Sequence, residues 1–379
     1  MEQQQSVASL VASNAVPRSM AEKLASFLQL HRGEHHIIAI QNFPDPDAIS
    51  SGFAHLLISR GFGIECEIVY DGIISHQQNI ALTKLLEIDL TRYQSGFDFK
   101  RFDGAVFIDN QGTTTSLTER LHEAGVKDLI VVDHHEKQYA VSPEFCDIQK
   151  VGATATIYTG YLQAGLVSFE RTNKTHVRCA TALMHGIITE TSNLLRAGEE
   201  DFYAAAYLSS FTDQGLLSDI MNQARSKKVM SVIQKALENR VVQNNVSVAG
   251  IGYLRAEDRD AIPQAADFLL TEENVHTAIV YGIVIDADKT EMLVGSLRTS
   301  KITLDPDHFL KESFGRDAAG RYFGGGRHDA GGFTVPLGFL SGTLEGDFTY
   351  KKWEIFDAQV KQKVFEKLGA DDKEMVKPA

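Results

Sequence analysis

Three apolar runs lead into acidic residues. HIIAIQ at 36–41 is followed by Asp45 and Asp47, GAVFID at 104–109 ends in Asp109, and LIVVD at 129–133 ends in Asp133, directly before His134 and His135. Carboxylates and imidazoles together suit hard to borderline divalent cations. Two such ions held about 3.5–4 Å apart can clamp the attacking and leaving oxygens of a phosphoryl displacement. A carboxylate that bridges both would fix that separation, and Asp109 is placed for it. Taken singly, each aspartate is as well explained as a helix N-cap, and an isolated His-His pair is more often surface or core. Three run ends with one chemistry are hard to explain as caps alone.

The elements that must position these residues follow from the periodicity. Short β-branched runs at 36–41, 64–70, 104–109 and 129–133 alternate with helical patterns at 48–61, 79–88 and 115–124. Apolar strands separated by helices indicate a parallel sheet covered on both faces, with the ligand beyond the carboxyl ends of the strands. Helical spacing of Met20, Leu24, Phe27, Leu28 and Leu30 predicts a helix within the first thirty residues. The chain reads as mostly helix from 153 to 238, with SDIMNQARSKKVMSVIQKALENR as one long connecting helix. A strand-rich section opens near Val246, and an amphipathic helix carrying Trp353 follows Thr349. The expected organisation is a first domain over 1–225, a helical linker over 226–245 and a second domain over 246–379.

Composition narrows the function classes. The chain has 379 residues, is 43% hydrophobic and 23% charged, and carries a net charge of −13. That balance is ordinary for a soluble globular protein and excludes disordered or collagen-like chains. A net acidic protein lacks the basic stripe that long nucleic acid requires. No run of about 18 apolar residues reads as a membrane span, the N-terminus does not read as a secretion signal, and Cys66, Cys146 and Cys179 form no disulfide or zinc-knuckle pattern. Cytoplasm is the expected compartment, with no membrane partner. Within GGGRHDAGG at 324–332, glycines would let backbone N–H groups approach a phosphate, with Arg327, His328 and Arg298 adding positive charge; alone, the run reads more readily as a tight turn. Phe314 and Phe323 beside it could stack a base.

PDPDAISS at 44–51, FIDNQG at 107–112, VVDHHE at 131–136 and GIITET at 186–191, followed by GSLRTS at 295–300 and GGGRHDAGG, occur in the order of the motifs of the DHH phosphoesterase superfamily. The chain resembles its nanoRNase-like members over roughly residues 36 to 338. The resemblance implies an α/β fold: a DHH domain built on a five-stranded parallel sheet flanked by helices, a helical linker, and a smaller mixed-sheet DHHA1 domain, with substrate in the cleft between the domains. It implies Asp45 and Asp47 as ligands to one ion each, Asp109 as the bridge, His134 as a metal-binding imidazole, Asp133 as the group orienting the histidines, and His135 at the scissile phosphate or assisting proton transfer. Gly324, Gly325, Gly326, Arg327, His328 and Arg298 would bind substrate. Two positions depart from the pattern. Gln41 stands where a histidine ligand is usual and offers only an amide oxygen, and Glu190 stands where an aspartate is usual. Asp213 is a candidate substitute carboxylate.

The resemblance implies two Mn²⁺ ions, with Mg²⁺ or Co²⁺ as alternatives, and hydrolysis of short linear oligoribonucleotides, dinucleotides such as pGpG foremost, to nucleoside monophosphates. The expected partners are a small nucleotide substrate and short RNA at most; a homodimer is compatible with the sequence. The family also contains 3′-phosphoadenosine 5′-phosphate phosphatases and cyclic-dinucleotide phosphodiesterases. Polyphosphatases are disfavoured by the second-domain motif. The altered Gln41 and Glu190 leave a non-catalytic nucleotide sensor as the alternative of another class.

Overall fold

In β1 (His35–Ala39), β4 (Gly104–Ile108) and β5 (Lys127–Asp133), residues of both parities are apolar because both faces of the sheet are covered. Ile38, Val106, Ile108, Ile130 and Val132 pack with Leu24 and Leu28 of α1 (Arg18–Leu30) and with Ile49 and Ile58 of α2 (Pro46–Gly61). Ile37, Ala39, Ala105, Phe107 and Val131 pack instead with Leu117 and Leu121 of α4 (Leu117–Ala124) and with Phe99 and Phe102. The computed structural model describes residues 18–286, 289–327, 329–342 and 346–368. The part of the expected N-terminal helix before Arg18 lies outside the described residues.

The sheet has six parallel strands, in the order β3-β2-β1-β4-β5-β6, rather than the expected five. β2 (Glu65–Tyr70) and α3 (Gln77–Leu85) follow the sequence reading closely. β3 (Thr91–Arg92) is only two residues long, too short to leave a period. β6 (Phe145–Ile148) places a buried Asp147 in the strand, where Tyr161 and Gln149 donate to its carboxylate. α5 (Thr154–Gln163), α6 (Lys174–Glu190), α7 (Glu199–Ser209) and α8 (Gln214–Met221) complete the first of two compact units, 1–224.

The long connecting helix expected from Ser218 onward is two helices. α8 ends at Met221 and α9 (Lys227–Asn239) starts anew, with the Ser226 hydroxyl accepting from the Val229 amide as N-cap. The helical linker expected at 226–245 is thus not a linker. α9 belongs to the second unit, 225–379, where Val229, Val232, Ile233 and Ala236 share a core with α10 (Ala261–Leu269).

The second unit is a mixed sheet in the order β11-β12-β10-β9-β8-β7. β8 (Val246–Arg255) and β9 (Thr277–Ile285) are parallel. β7 (Arg240–Gln243), β10 (Glu291–Thr299), β11 (Gly324–Arg327) and β12 (Ala330–Pro336) pair antiparallel with their neighbours. α9 and α10 cover one face. Leu310 of α11 (Pro306–Phe314) and Val360, Val364 and Phe365 of α12 (Gly346–Lys367) cover the other. The Trp353 ring lies 6.1 Å from that of Tyr281, which fixes α12 on the sheet as its apolar face predicts.

Two histidines sit in the core of the first unit. His55 is fully buried with Nδ1 2.9 Å from the Tyr158 hydroxyl, and His185 is fully buried with no hydrogen-bond partner at either ring nitrogen. Burial, with a small contribution from His36, pushes His55 down to about 3; burial, with His76, pushes His185 down to about 4. In the unfolded chain both titrate near about 6.5. The unfolded state therefore binds more protons as pH falls below about 6.5, and stability drops progressively toward the folded-state values. The urea midpoint should rise from about pH 5 to about 6.5 and level off above, and His185→Leu should flatten that rise. An identical slope in the two proteins would count against the assignment.

Candidate metal centre

The carboxyl ends of β1, β4 and β5 bring the acidic motifs together, and the local backbone explains how. Asp45 is the N-cap of α2, its Oδ1 accepting from the Ala48 amide at 2.9 Å, with Pro46 at the first helical position. The capping role and the chemical role thus fall on one residue. Asp47, at the start of α2, is fully buried. Its Oδ2 accepts from the Thr154 amide at 2.8 Å and its Oδ1 from the Ala155 amide at 2.7 Å. These are the first amides of α5, which would otherwise lack partners.

Asp109 adopts φ 56° just after β4. Left-handed backbone is unfavourable by about 1–2 kcal/mol for most residues and easiest for Asn and Asp. Its amide donates to the Val132 carbonyl at 3.0 Å, and the Thr154 hydroxyl donates to its Oδ1 at 2.9 Å. Asn110 knits the neighbouring strand ends, donating to the carbonyls of Ala39 and Ile108.

His134 stands at the focus. Its Nδ1 faces the Val151 carbonyl at 3.2 Å, while its buried Nε2 has no hydrogen-bond partner. Around Nε2 lie Asp109 Oδ1 at 3.6 Å, Glu190 Oε1 at 3.7 Å and Asp47 Oδ2 at 3.9 Å. These separations are too long for hydrogen bonds. They fall between the roughly 3.0 Å and 4.2 Å that separate cis and trans ligands placed about 2.1 Å from one octahedral ion. Asp109, His134 and His135 offer ligand atoms that all lie within 4.8 Å of one another, and with Asp47 and Glu190 facing the same His134 nitrogen the chemistry of the donor set suits a divalent cation. The longer Glu190 side chain still delivers its carboxylate to the cluster.

Asp133 orients His135 rather than His134. Its Oδ1 accepts from both histidine amides and lies 2.7 Å from His135 Nδ1, and its Oδ2 accepts from Gln111 Nε2 at 2.8 Å. The ring of His134 is set by the Val151 carbonyl, so the expected shared role of Asp133 divides between two acceptors.

The electrostatics of the cluster suit a cation. Burial, then the neighbouring Asp45, raises Asp47 to about 7. Burial, then Asp47 and Asp45, drives Asp109 well above the usual carboxylate range. Burial, then His135, holds His134 below its ordinary value. Its imidazole is therefore neutral, the form that binds metal. Burial also pushes Asp133 upward, but the His135 hydrogen bond and charge outweigh it and keep Asp133 ionised.

Several expected residues are placed otherwise. Gln41 donates its amide to Asp45 Oδ2 at 2.6 Å, so it reaches the site through Asp45. Asp213 is an exposed N-cap of α8, accepting from the Gly215 and Leu216 amides, and takes no part in the cluster. GGGR at 324–327 is a strand, β11, not a phosphate loop. A side chain at Gly326 would come within 2.8 Å of Pro306 and at Gly331 within 2.6 Å of Leu310, so these glycines serve the close packing of α11 on the hairpin. Arg298 pairs with Asp267 at 2.7 Å, Arg327 ends β11, and His328 lies outside the described residues. Phe314 stacks on Phe333 with centroids 3.8 Å apart, within the protein rather than on a base.

The sequence reading missed Thr154, Gln111 and Asp201. Thr154 serves both Asp47 and Asp109. Asp201, fully buried, accepts from the Gly152 and Gly198 amides and from the Thr156 hydroxyl, which anchors the start of α5. Thr154 and Gln111 stand in no run of acidic or histidine residues, and Asp201 ends the Glu199-Glu200-Asp201 run that reads as an ordinary acidic first turn of α7. The second unit carries an open cleft of about 400 Å³ lined by Arg259, Tyr322, Phe323, Gly324, Gly325 and Thr334. Of these, Gly324, Gly325 and Phe323 were anticipated, and Arg259 was not.

Asp201→Ala should strip partners from the half-buried Gly152 amide and the buried Thr156 hydroxyl and release the amino terminus of α5. Unfolding free energy is expected to fall by about 1–3 kcal/mol, the cost of an orphaned buried polar group, and Mn²⁺ binding by calorimetry should weaken. Unchanged stability would remove Asp201 from this role.

No family model matches the chain. It is 33% identical over 334 residues to the uncharacterized protein MJ1633 of Methanocaldococcus jannaschii, covering 87% of this chain and 63% of that protein; the chain thus spans less than two thirds of the relative's length. Among solved structures, an exopolyphosphatase-related protein from Bacteroides fragilis superposes with a TM-score of 0.61 at 13% identity, covering 92% of this chain and 99% of the other. RecJ from Thermus thermophilus in complex with Mn²⁺ gives a TM-score of 0.44 at 13% identity, over 95% of this chain and 60% of that one. The first likeness shows that the fold is shared with the exopolyphosphatase-related protein.

Proposed function

We propose that the chain is a metal-dependent phosphodiesterase of the DHH superfamily that hydrolyses short linear oligoribonucleotides, dinucleotides such as pGpG foremost, to nucleoside monophosphates. The observation that carries this reading is the unpartnered Nε2 of His134 ringed by the carboxylates of Asp47, Asp109 and Glu190. Asp47, Asp109, His134 and Glu190 would hold one ion, with Asp109 also reaching a second ion on the Asp45 side. Mn²⁺ fits this mixed carboxylate–imidazole set, with Mg²⁺ or Co²⁺ as substitutes. When bound, the ions supply an activated water and neutralise charge on the phosphate.

The chain's own residues contribute the rest. Asp133 fixes His135 through Nδ1. His135 is thereby oriented to present Nε2, the atom at which it would hold or deliver a proton to a phosphate oxygen. In the second unit, Arg259 is a cation for a phosphate, and Tyr322 and Phe323 are surfaces for a base. A net charge of −13 favours a small ligand over a long strand.

Asp109→Ala should lower kcat by about 10³-fold or more, since it removes a ligand whose ions stabilise the reaction by several kcal/mol. The assay is mononucleotide release from pGpG with Mn²⁺. Near-normal turnover by folded Asp109→Ala protein would overturn the proposal. Saturable pGpG binding by wild type without product would support instead the sensor reading suggested by Gln41 and Glu190 at the family's metal positions.

A second expectation concerns substrate. Across 5′-phosphorylated two-, three-, five- and ten-mers, kcat/KM should fall steeply with length. Arg259→Ala should raise KM about ten- to hundredfold, the effect of losing one charged hydrogen bond, and leave kcat nearly unchanged. Arg298→Ala tests the position the motif suggested. Equal rates on the ten-mer and two-mer would remove the short-substrate reading, and an unchanged KM in both variants would remove the second unit from binding.

A further inference from the structure

We propose that His31, Glu34 and His36 form a separate divalent transition-metal site, suited to Zn²⁺, that clamps the end of α1 to the start of β1. His31 Nδ1 lies 2.8 Å and His36 Nε2 2.9 Å from the same oxygen, Oε2 of Glu34. One ligand atom from each residue falls within 4.8 Å of the other two. Tetrahedral ligands about 2.0–2.1 Å from Zn²⁺ lie about 3.3 Å apart, so each nitrogen–carboxylate separation is about half an ångström short of that spacing, and the two imidazoles, with ring centroids 5.7 Å apart, flank the carboxylate between them.

The backbone already holds the three residues close. The His31 amide donates to the Leu28 carbonyl and the Glu34 amide to the His31 carbonyl, which makes a tight turn out of α1. His36 is fixed within β1, paired to both β2 and β4. The His31 ring packs against Phe27 with centroids 4.5 Å apart. The site opens on the Glu34 side, which is about one-third exposed and leaves room for a water as fourth ligand. Two imidazoles and one carboxylate with an open position are a donor set zinc favours.

This cluster stands at the amino end of β1, whereas Asp45 and Asp47 follow its carboxyl end, so the two sets of ligands share no residue. The affinity can be bounded. His36 Nδ1 is buried without a partner. Coordination through Nε2 puts the ring proton on Nδ1 with no acceptor, and the missing outer partner lowers affinity about 10–100-fold relative to a site that has one. Binding weaker than at a closed four-ligand structural zinc site follows.

Equilibrium dialysis against Zn²⁺ and the visible bands of tetrahedral Co²⁺ test the site in the full chain. Wild type and Asp109→Ala should both show the tetrahedral Co²⁺ signal. His31→Ala and Glu34→Gln, both at partly exposed positions, should lose it together with one bound ion per chain, and Zn²⁺ should raise the melting temperature of wild type by more than that of these two, which keep the Asp109 site. The ring-nitrogen resonances of His31 and His36 in wild type provide a measurement that needs no variant, and they should shift on adding Zn²⁺. The proposal is overturned if those resonances stay fixed at saturating Zn²⁺, or if the folded variants keep the Co²⁺ signal and the full ion count.

Discussion

Asp47 is a buried carboxylate held by the first two amides of α5, and the geometry of the site depends on that contact. The two amides fix its oxygens. The same helix start supplies the Thr154 hydroxyl to Asp109. α2 and α5 are thereby tied through one side chain at the point where the strands deliver their acidic ends. Asp201 holds the same helix start through the Gly152 amide and the Thr156 hydroxyl. Close packing permits this: a side chain at Gly186 of α6 would come within 2.4 Å of the Ser50 hydroxyl and 3.3 Å of the Asp47 backbone, so α6 approaches α2 closely enough to bring Glu190 to His134.

Such an arrangement is unfavourable by itself. Asp47 is raised by burial and by Asp45, and Asp109 by burial and by Asp47. Glu190 sits at the carboxyl end of α6, where the helix dipole disfavours negative charge. The backbone shares the burden. Asp109 is left-handed, and Ser192, Asn193 and Leu194, close after Glu190, have φ of 53°, 59° and 66°. Strained backbone and carboxylates of raised pKa gather at this one sheet edge, the combination that marks functional sites. Asp133 shows the contrast. It is ionised because His135 and Gln111 satisfy it, and it acts on its neighbour's orientation rather than on a metal.

The second unit obeys a different constraint. Its glycine run has the motif of a ligand loop, yet the hairpin β11–β12 uses those glycines to bring α11 against the sheet. The cleft that remains is lined by Gly324 and Gly325, by the aromatic residues Tyr322, Phe323 and Phe333 and by Arg259. Arg259 precedes α10, far upstream of the motif, so no local pattern could associate it with the glycines. Arg298, which the motif itself offered, is turned to Asp267 on α10.

By itself the sequence determined the acidic strand ends, because alternation between apolar runs and helices forces a parallel sheet, and a parallel sheet places Asp45, Asp109 and Asp133 at one edge whatever its details. It also determined the two sections of the chain, since their element patterns differ. It could not resolve β3, at two residues too short for a period, or the break at Asn222–Ser226, where one serine cap divides an otherwise continuous helical pattern. Only the tertiary structure decided which carboxylates meet His134 and which merely cap helices. Asp213 and Asp45 are both N-caps, and they differ in what lies around them, not in their own residues. Thr154 and Asp201 were illegible for the same reason. Their roles rest on hydrogen bonds across 45 to 107 positions of sequence, which no local spacing records.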